Sequence, residues 1–320
     1  MIAIASAPDI PVGSSLGNTA DWYWRGHRIR YRCCLPAQPH PEALPLLLLH
    51  GFGAASGHWR GNLEPLSRQR PVYALDLLGF GESDQPFCRY GPRLWSELVH
   101  DFWRSHLNRP AILIGNSLGS VVAMTTAARF PETITGLIWI NLPDLSLRLS
   151  DRQLQRQHRW QRVSDRLLWL ASHPLLIEPI LRYARPPRRM QRWLKLAYHP
   201  ERGDRVDPEL VELLSQPAGR RDAGRALRAM TRFVNQVPPR WRARRLLSQL
   251  DLPTLLIWGE RDRLVPVHLA QACSDLHRNL TLIRLPELGH CPQDEDPDCL
   301  NPLVEDWVSH LERQTGTPLP

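Results

Sequence analysis

One lysine, Lys195, is all that the 320-residue chain contains, so arginine carries nearly the whole of a formal net charge of +8, as a GC-rich genome would encode. No apolar run approaches the length of a membrane span, and Met1 to Pro8 lacks the basic start and the longer apolar stretch of a secretory signal. A soluble cytoplasmic protein is therefore expected. Six cysteines, Cys33, Cys34, Cys88, Cys273, Cys291 and Cys299, show no metal-ligand spacing, which points to reduced thiols and no bound metal. No internal repeat is visible. The 30 prolines are scattered through loops, which excludes collagen-like and low-complexity readings.

What is present is an alternation of short apolar runs with helical segments. Strands are expected near 22–34, 44–50, 71–76, 111–116, 134–141, 253–259 and 280–285, and a helix from Pro297 to Arg313. The alternation implies an α/β fold with a mostly parallel sheet covered on both faces. It stops between residues 142 and 250, where the pattern turns helical and holds 23 arginines and lysines against 10 aspartates and glutamates, a net +13. The expected organisation is a core of residues 1–141 and 251–320 with a helical, arginine-rich cap of 142–250 inserted after the sixth strand. Leu167, Leu168, Trp169, Leu175, Leu176, Ile177, Ile180, Trp193 and Leu194 would line or pack that cap.

Gly115-Asn116-Ser117-Leu118-Gly119 joins the run Ala111–Ile114 to a small-residue helix. This G-x-S-x-G spacing sets a serine on a sharp strand-to-helix turn, where side chains two residues to either side would collide with the neighbouring elements. Upstream, Leu46–Leu49 breaks into His50-Gly51-Phe52-Gly53. The backbone N–H groups of Phe52 and Leu118 are the expected oxyanion donors, with His50, Gly51, Gly53, Gly115, Asn116 and Gly119 supporting them. Downstream, Asp262 follows the run Thr254–Gly259, and His290 follows Leu280–Leu285. A serine hydroxyl needs a base to take its proton and a carboxylate to orient that base, so Ser117, Asp262 and His290 form the expected triad. Asp144 is the alternative acid. Glu260 and Asp294 read as surface carboxylates, His50 and His58 as structural hydrogen-bonding residues, and most other histidines as solvated. Cys291 reads as a packing residue, and the loop Asp76–Asp84 as structural.

The order Ser, Asp, His is that of the serine α/β-hydrolases. The segments His50–Ala54, Gly57–Asn62, Val72–Asp84 and Gly115–Ser120 narrow the resemblance to the pheophytinase and chlorophyll dephytylase group of plants and cyanobacteria, which hydrolyse the phytyl ester of chlorophyll-type pigments. The resemblance implies the same triad and cleavage of a lipophilic ester through an acyl-enzyme, without a cofactor. Hydrolysis of carbon–carbon bonds or of small carboxylic esters is the alternative activity, and a non-catalytic binding protein on the same fold is the alternative of another class. The basic cap suggests peripheral contact with an anionic membrane; nothing accompanies the charge that would recognise nucleic acid. Oligomeric state is left open.

Overall fold

The computed structural model describes residues 16–143 except Pro39 and Pro41, then Tyr183, 186–220, 222–234 and 243–314. Eight strands form one sheet in the order β1-β2-β4-β3-β5-β6-β7-β8. They are β1 (Asn18–Trp24), β2 (His27–Cys34), β3 (Leu46–Leu49), β4 (Val72–Leu75), β5 (Ala111–Asn116), β6 (Ile134–Ile140), β7 (Thr254–Gly259) and β8 (Leu280–Leu285). β2 runs antiparallel to β1 and β4, and every other pairing is parallel.

The expected single strand over 22–34 is instead a hairpin. Arg25 and Gly26 both adopt positive φ, 51° and 81°, the geometry of a two-residue turn whose twist matches the strands it joins. Gly26 is the only signal for that turn in the sequence, and the arginine beside it masks it.

Alternation along the central strands splits the core in two. Leu47, Leu49, Leu113, Trp139 and Trp258 face α2 (Pro92–His106), α3 (Leu118–Arg129) and α8 (His268–Leu276). Leu46, Leu48, Ile112, Ile114, Ile138 and Ile257 face the short α1 (Leu63–Leu66) and α10 (Pro297–Gln314). Continuous apolar runs of this kind are what a parallel sheet buried on both faces requires. α3 is buried along Leu118–Ala127, which explains its small side chains: it lies on the sheet with α2 and other helices around it.

Between Tyr183 and Leu247 the described residues contain no strand. They form α4 (Pro187–Ala197), α5 (Pro208–Ser215), α6 (Ala223–Val234) and α7 (Ala243–Leu247) with short 3₁₀ turns. Tyr198, Val206, Leu210, Val211 and Leu214 build a third apolar cluster with Ala54, Ala55 and Cys291 of the core. Leu194 packs on that cluster, whereas Trp193 is exposed. Asp144 and the apolar positions from Leu167 to Ile180 lie outside the described residues. Among the described residues no helix is long and apolar enough to cross a membrane.

Strand order reverses at β3: β4 lies to one side of it and β5 to the other. In an open parallel sheet such a reversal leaves a crevice beyond the carboxyl ends of the two strands. The loop after β3 is His50–Gly53, and the turn after β5 is Ser117.

Candidate active site

Ser117 leaves β5 with φ 53° and ψ −119° and caps α3. A non-glycine residue in this sparsely populated region costs about 1–3 kcal/mol, and here the surroundings impose it. The Ser117 N–H donates to the carbonyl of Ile140 at 2.9 Å. A Cβ on Gly115 would strike the backbone of Gly119, and one on Gly119 would strike the carbonyl of Leu49. Gly115 is thus required by the tight closure of the turn onto the start of α3, and Gly119 by the packing of the elbow against the end of β3. Ser120 ties the turn from inside, its hydroxyl donating to the carbonyl of Gly115 and accepting from the Ile140 N–H at 3.2 Å.

The loop after β3 lies directly against the elbow. A side chain at Gly51 would come within 3.3 Å of the Ser117 Cβ. His50 is buried, and its Nε2 accepts from the Leu77 N–H at 3.1 Å, so Nδ1 carries the proton and donates to the Gly51 carbonyl at 2.7 Å. Burial pushes the proton affinity of His50 down, which keeps this neutral tautomer. Asp76 anchors the next loop by accepting from the N–H groups of Ser56 and Glu82, consistent with a structural part. Phe52, by contrast, is 46% exposed at the rim.

His290 Nδ1 donates to Asp262 Oδ2 at 2.6 Å, with both residues buried. The other Asp262 oxygen accepts from the N–H groups of Leu264 and Val265 at 2.7 and 2.8 Å. With Nδ1 donating, Nε2 is the ring nitrogen whose lone pair remains to accept a proton. The loop of His290 and the elbow are joined directly, because Asn116 Nδ2 donates to the His290 carbonyl at 2.9 Å.

Two further residues take part that motif reading missed. Asn141, fully buried at φ 52° just after β6, donates from Nδ2 to the same Asp262 oxygen that His290 uses, and its Oδ1 accepts from the Gly259 N–H at 3.3 Å. Glu295, in the short α9 (Pro292–Glu295), accepts from the N–H groups on both sides of the histidine, Gly289 at 2.8 Å and Cys291 at 2.9 Å, and from His199 beyond α4 at 2.8 Å. Burial holds its carboxyl above the ordinary range even with these three donors. Their only sequence signals are an asparagine at a strand end and a glutamate five residues beyond a histidine.

Asp294 is not a surface carboxylate: it is completely buried and accepts from the Tyr198 hydroxyl and from Arg60 Nε, each at 2.8 Å. Tyr198 in turn accepts from His58 Nε2 at 2.8 Å, and Arg60 Nη1 also reaches Asp207 at 2.8 Å. The acid rivets Gly57–Asn62 to the helical segment, which the exposed-looking run Gln293–Asp298 conceals. His199 and His277 are buried as well. Glu260 is partly exposed and pairs with Arg284 at 2.8 Å. The Cys291 thiol is pushed well up by burial and the neighbouring Glu295 carboxylate, so it remains a thiol in the packed cluster. Among the described residues no group of His, Cys, Asp and Glu is placed to hold a metal ion.

The chain belongs to the α/β-hydrolase fold family, which it matches over residues 45–297. It is similar to the chloroplast pheophytinase of Arabidopsis thaliana, with 24% identity over 87% of this chain and 64% of the relative. It is also similar to the α/β-hydrolase domain-containing protein VTE7 of the same plant, with 26% identity over 94% of this chain and 83% of that protein. The chain thus spans under two thirds of the pheophytinase. Among solved structures, a membrane phospholipase A superposes with a TM-score of 0.69 at 23% identity, over 93% of this chain and 88% of that one.

Proposed function

We propose that the chain is a serine hydrolase that cleaves an ester of a lipophilic substrate through an acyl-enzyme on Ser117. The observation that carries this reading is the 2.6 Å bond from His290 Nδ1 to Asp262, on a loop hydrogen-bonded to the residue that precedes an elbow serine. The Ser117 hydroxyl attacks the ester carbonyl while His290 Nε2 takes its proton. The oxygen that becomes negative is held by the N–H groups of Leu118 and Phe52, each such donor lowering the barrier by roughly 3 kcal/mol. The imidazolium, stabilised by Asp262, returns the proton to the departing alcohol. Water then attacks the acyl-enzyme, giving a proton to His290, which passes it to the departing Ser117 oxygen as the acid is released. The reaction needs no cofactor.

The favoured substrate is a phytylated chlorophyll-type pigment. The similarity to pheophytinase over most of the chain supports it, as do the exposed apolar side chains Phe52 in the oxyanion loop and Leu264 just past Asp262. The protein would act in the cytoplasm, with the arginine-rich cap resting on a membrane. The test is phytol release from chlorophyll a and pheophytin a in detergent micelles, beside a short-chain aryl ester, with Ser117→Ala as control. Phytol release that depends on Ser117 supports the pigment assignment. Aryl-ester turnover without phytol release removes that assignment and keeps the mechanism. Turnover of vinylogous diketones alone favours carbon–carbon hydrolysis, and no turnover of any substrate favours a binding protein.

A further inference from the structure

α4 buries none of its residues fully, although Met190, Leu194 and Ala197 on its inner side pack against the cluster around Tyr198 and Leu210. At about 100° per residue, the outer side divides into two adjoining rows. Arg188, Arg192 and Lys195 form one, and Leu196 and Trp193 form its shoulder, with Arg189 between them turned onto the Tyr183 ring at 3.8 Å. Trp193 is 62% exposed and Leu196 54%. The three cations have no ion-pair partner among the described residues.

We infer that this face of α4 docks on the surface of an anionic lipid bilayer, with Trp193 and Leu196 entering the headgroup layer and the three cations against the lipid phosphates. Charge complementarity selects the partner, since the segment 142–250 carries a net +13 in a chain whose total is +8, and an anionic leaflet attracts such a segment within a Debye length. The apolar shoulder selects lipid over other polyanions. An indole has an apolar body and one N–H donor, which suits the headgroup level, and an exposed leucine gains nothing from phosphate alone.

The position of α4 gives docking a consequence. Its last residue, Ala197, accepts the backbone N–H of His290 at 2.8 Å, so the docked helix ends against the loop of the proposed base. A lipophilic ester would pass from the bilayer to the crevice without crossing bulk water. This inference rests on the reading of the substrate as lipophilic, and its test does not depend on that reading.

The test is flotation with vesicles of phosphatidylcholine alone or mixed with phosphatidylglycerol, at low and high salt. The full chain is compared with Arg188→Gln/Arg192→Gln/Lys195→Gln and with Trp193→Ala/Leu196→Ser. The wild-type chain is expected to float with the anionic vesicles at low salt and to be released by high salt. Removing three cations should weaken partitioning by about 100-fold, and removing the apolar pair by at least about 10-fold. Both variants should keep wild-type turnover of a water-soluble aryl ester, which shows that they fold. Wild-type protein that ignores anionic vesicles at low salt, or variants that float equally well, would overturn the inference. So would a Trp193→Ala/Leu196→Ser variant that changes oligomeric state but floats normally, since the face would then belong to a second copy. Failure of the serine-hydrolase reading shows separately, as aryl-ester turnover indifferent to Ser117→Ala.

Discussion

Both oxygens of Asp262 are occupied by donors: His290 and Asn141 on one, the N–H groups of Leu264 and Val265 on the other. An asparagine there would have to turn its amide group toward one set of donors, and either choice loses the imidazole tautomer or the loop that holds the acid. Asp262→Asn is therefore expected to lower kcat almost as far as Ser117→Ala and His290→Ala, each of which should remove at least about 10⁴-fold of ester turnover, because such residues act as a unit. Asp144→Asn should leave kcat near wild type; the reverse pattern in steady-state kinetics would move the acid. His58 supplies a pH prediction. Burial pushes its imidazole from 6.5 down to about 4, so the folded chain declines a proton that the unfolded chain accepts. Stability should fall as pH drops through this window, by about 2 kcal/mol between pH 7 and 5 from this group alone. Urea unfolding at the two pH values reads it, and His58→Gln should flatten the dependence; an unchanged slope would contradict the assignment.

Among the elements, the loop that carries His290 is held from two sides. Residues 197–199, from the last residue of α4 onward, bind it through the Ala197 carbonyl and through Glu295, while Asn116 at the end of β5 holds the histidine carbonyl. Glu295→Gln offers one acceptor oxygen where three N–H groups need two. Kinetics should show a loss of about 10²-fold in kcat, the scale of an ångström-level misplacement, with KM for a small aryl ester little changed and a melting temperature measured alongside. A loss confined to the melting temperature would make Glu295 structural only. The strand ends bearing Ser117 and His290 and the run preceding Asp262 were legible because each ends an apolar run in a turn whose chemistry is local. Glu295 and Asn141 were not, because they act on backbone far away in sequence. The β1–β2 hairpin was hidden for another reason: Arg25 occupies a φ that its residue type does not announce.

Across the whole molecule, the mostly parallel sheet could be read from the spacing of apolar runs, whereas the strand order, and with it the reversal at β3, could not, because spacing does not say which strands pair. The burial of Asp294 could not, since a Pro- and acid-rich segment looks solvent-facing until Arg60, Tyr198 and the helical segment close over it. That burial joins the helical segment to the end of the sheet that bears Ser117, through Arg60 and Tyr198. Intact-protein and peptide mass spectrometry after exposure to a fluorophosphonate decides whether Ser117 is the nucleophile. One covalent adduct is expected, on Ser117, absent in Ser117→Ala and much slower to form in His290→Ala. A well-folded wild-type chain that takes no label, or takes it on another residue, would contradict that role.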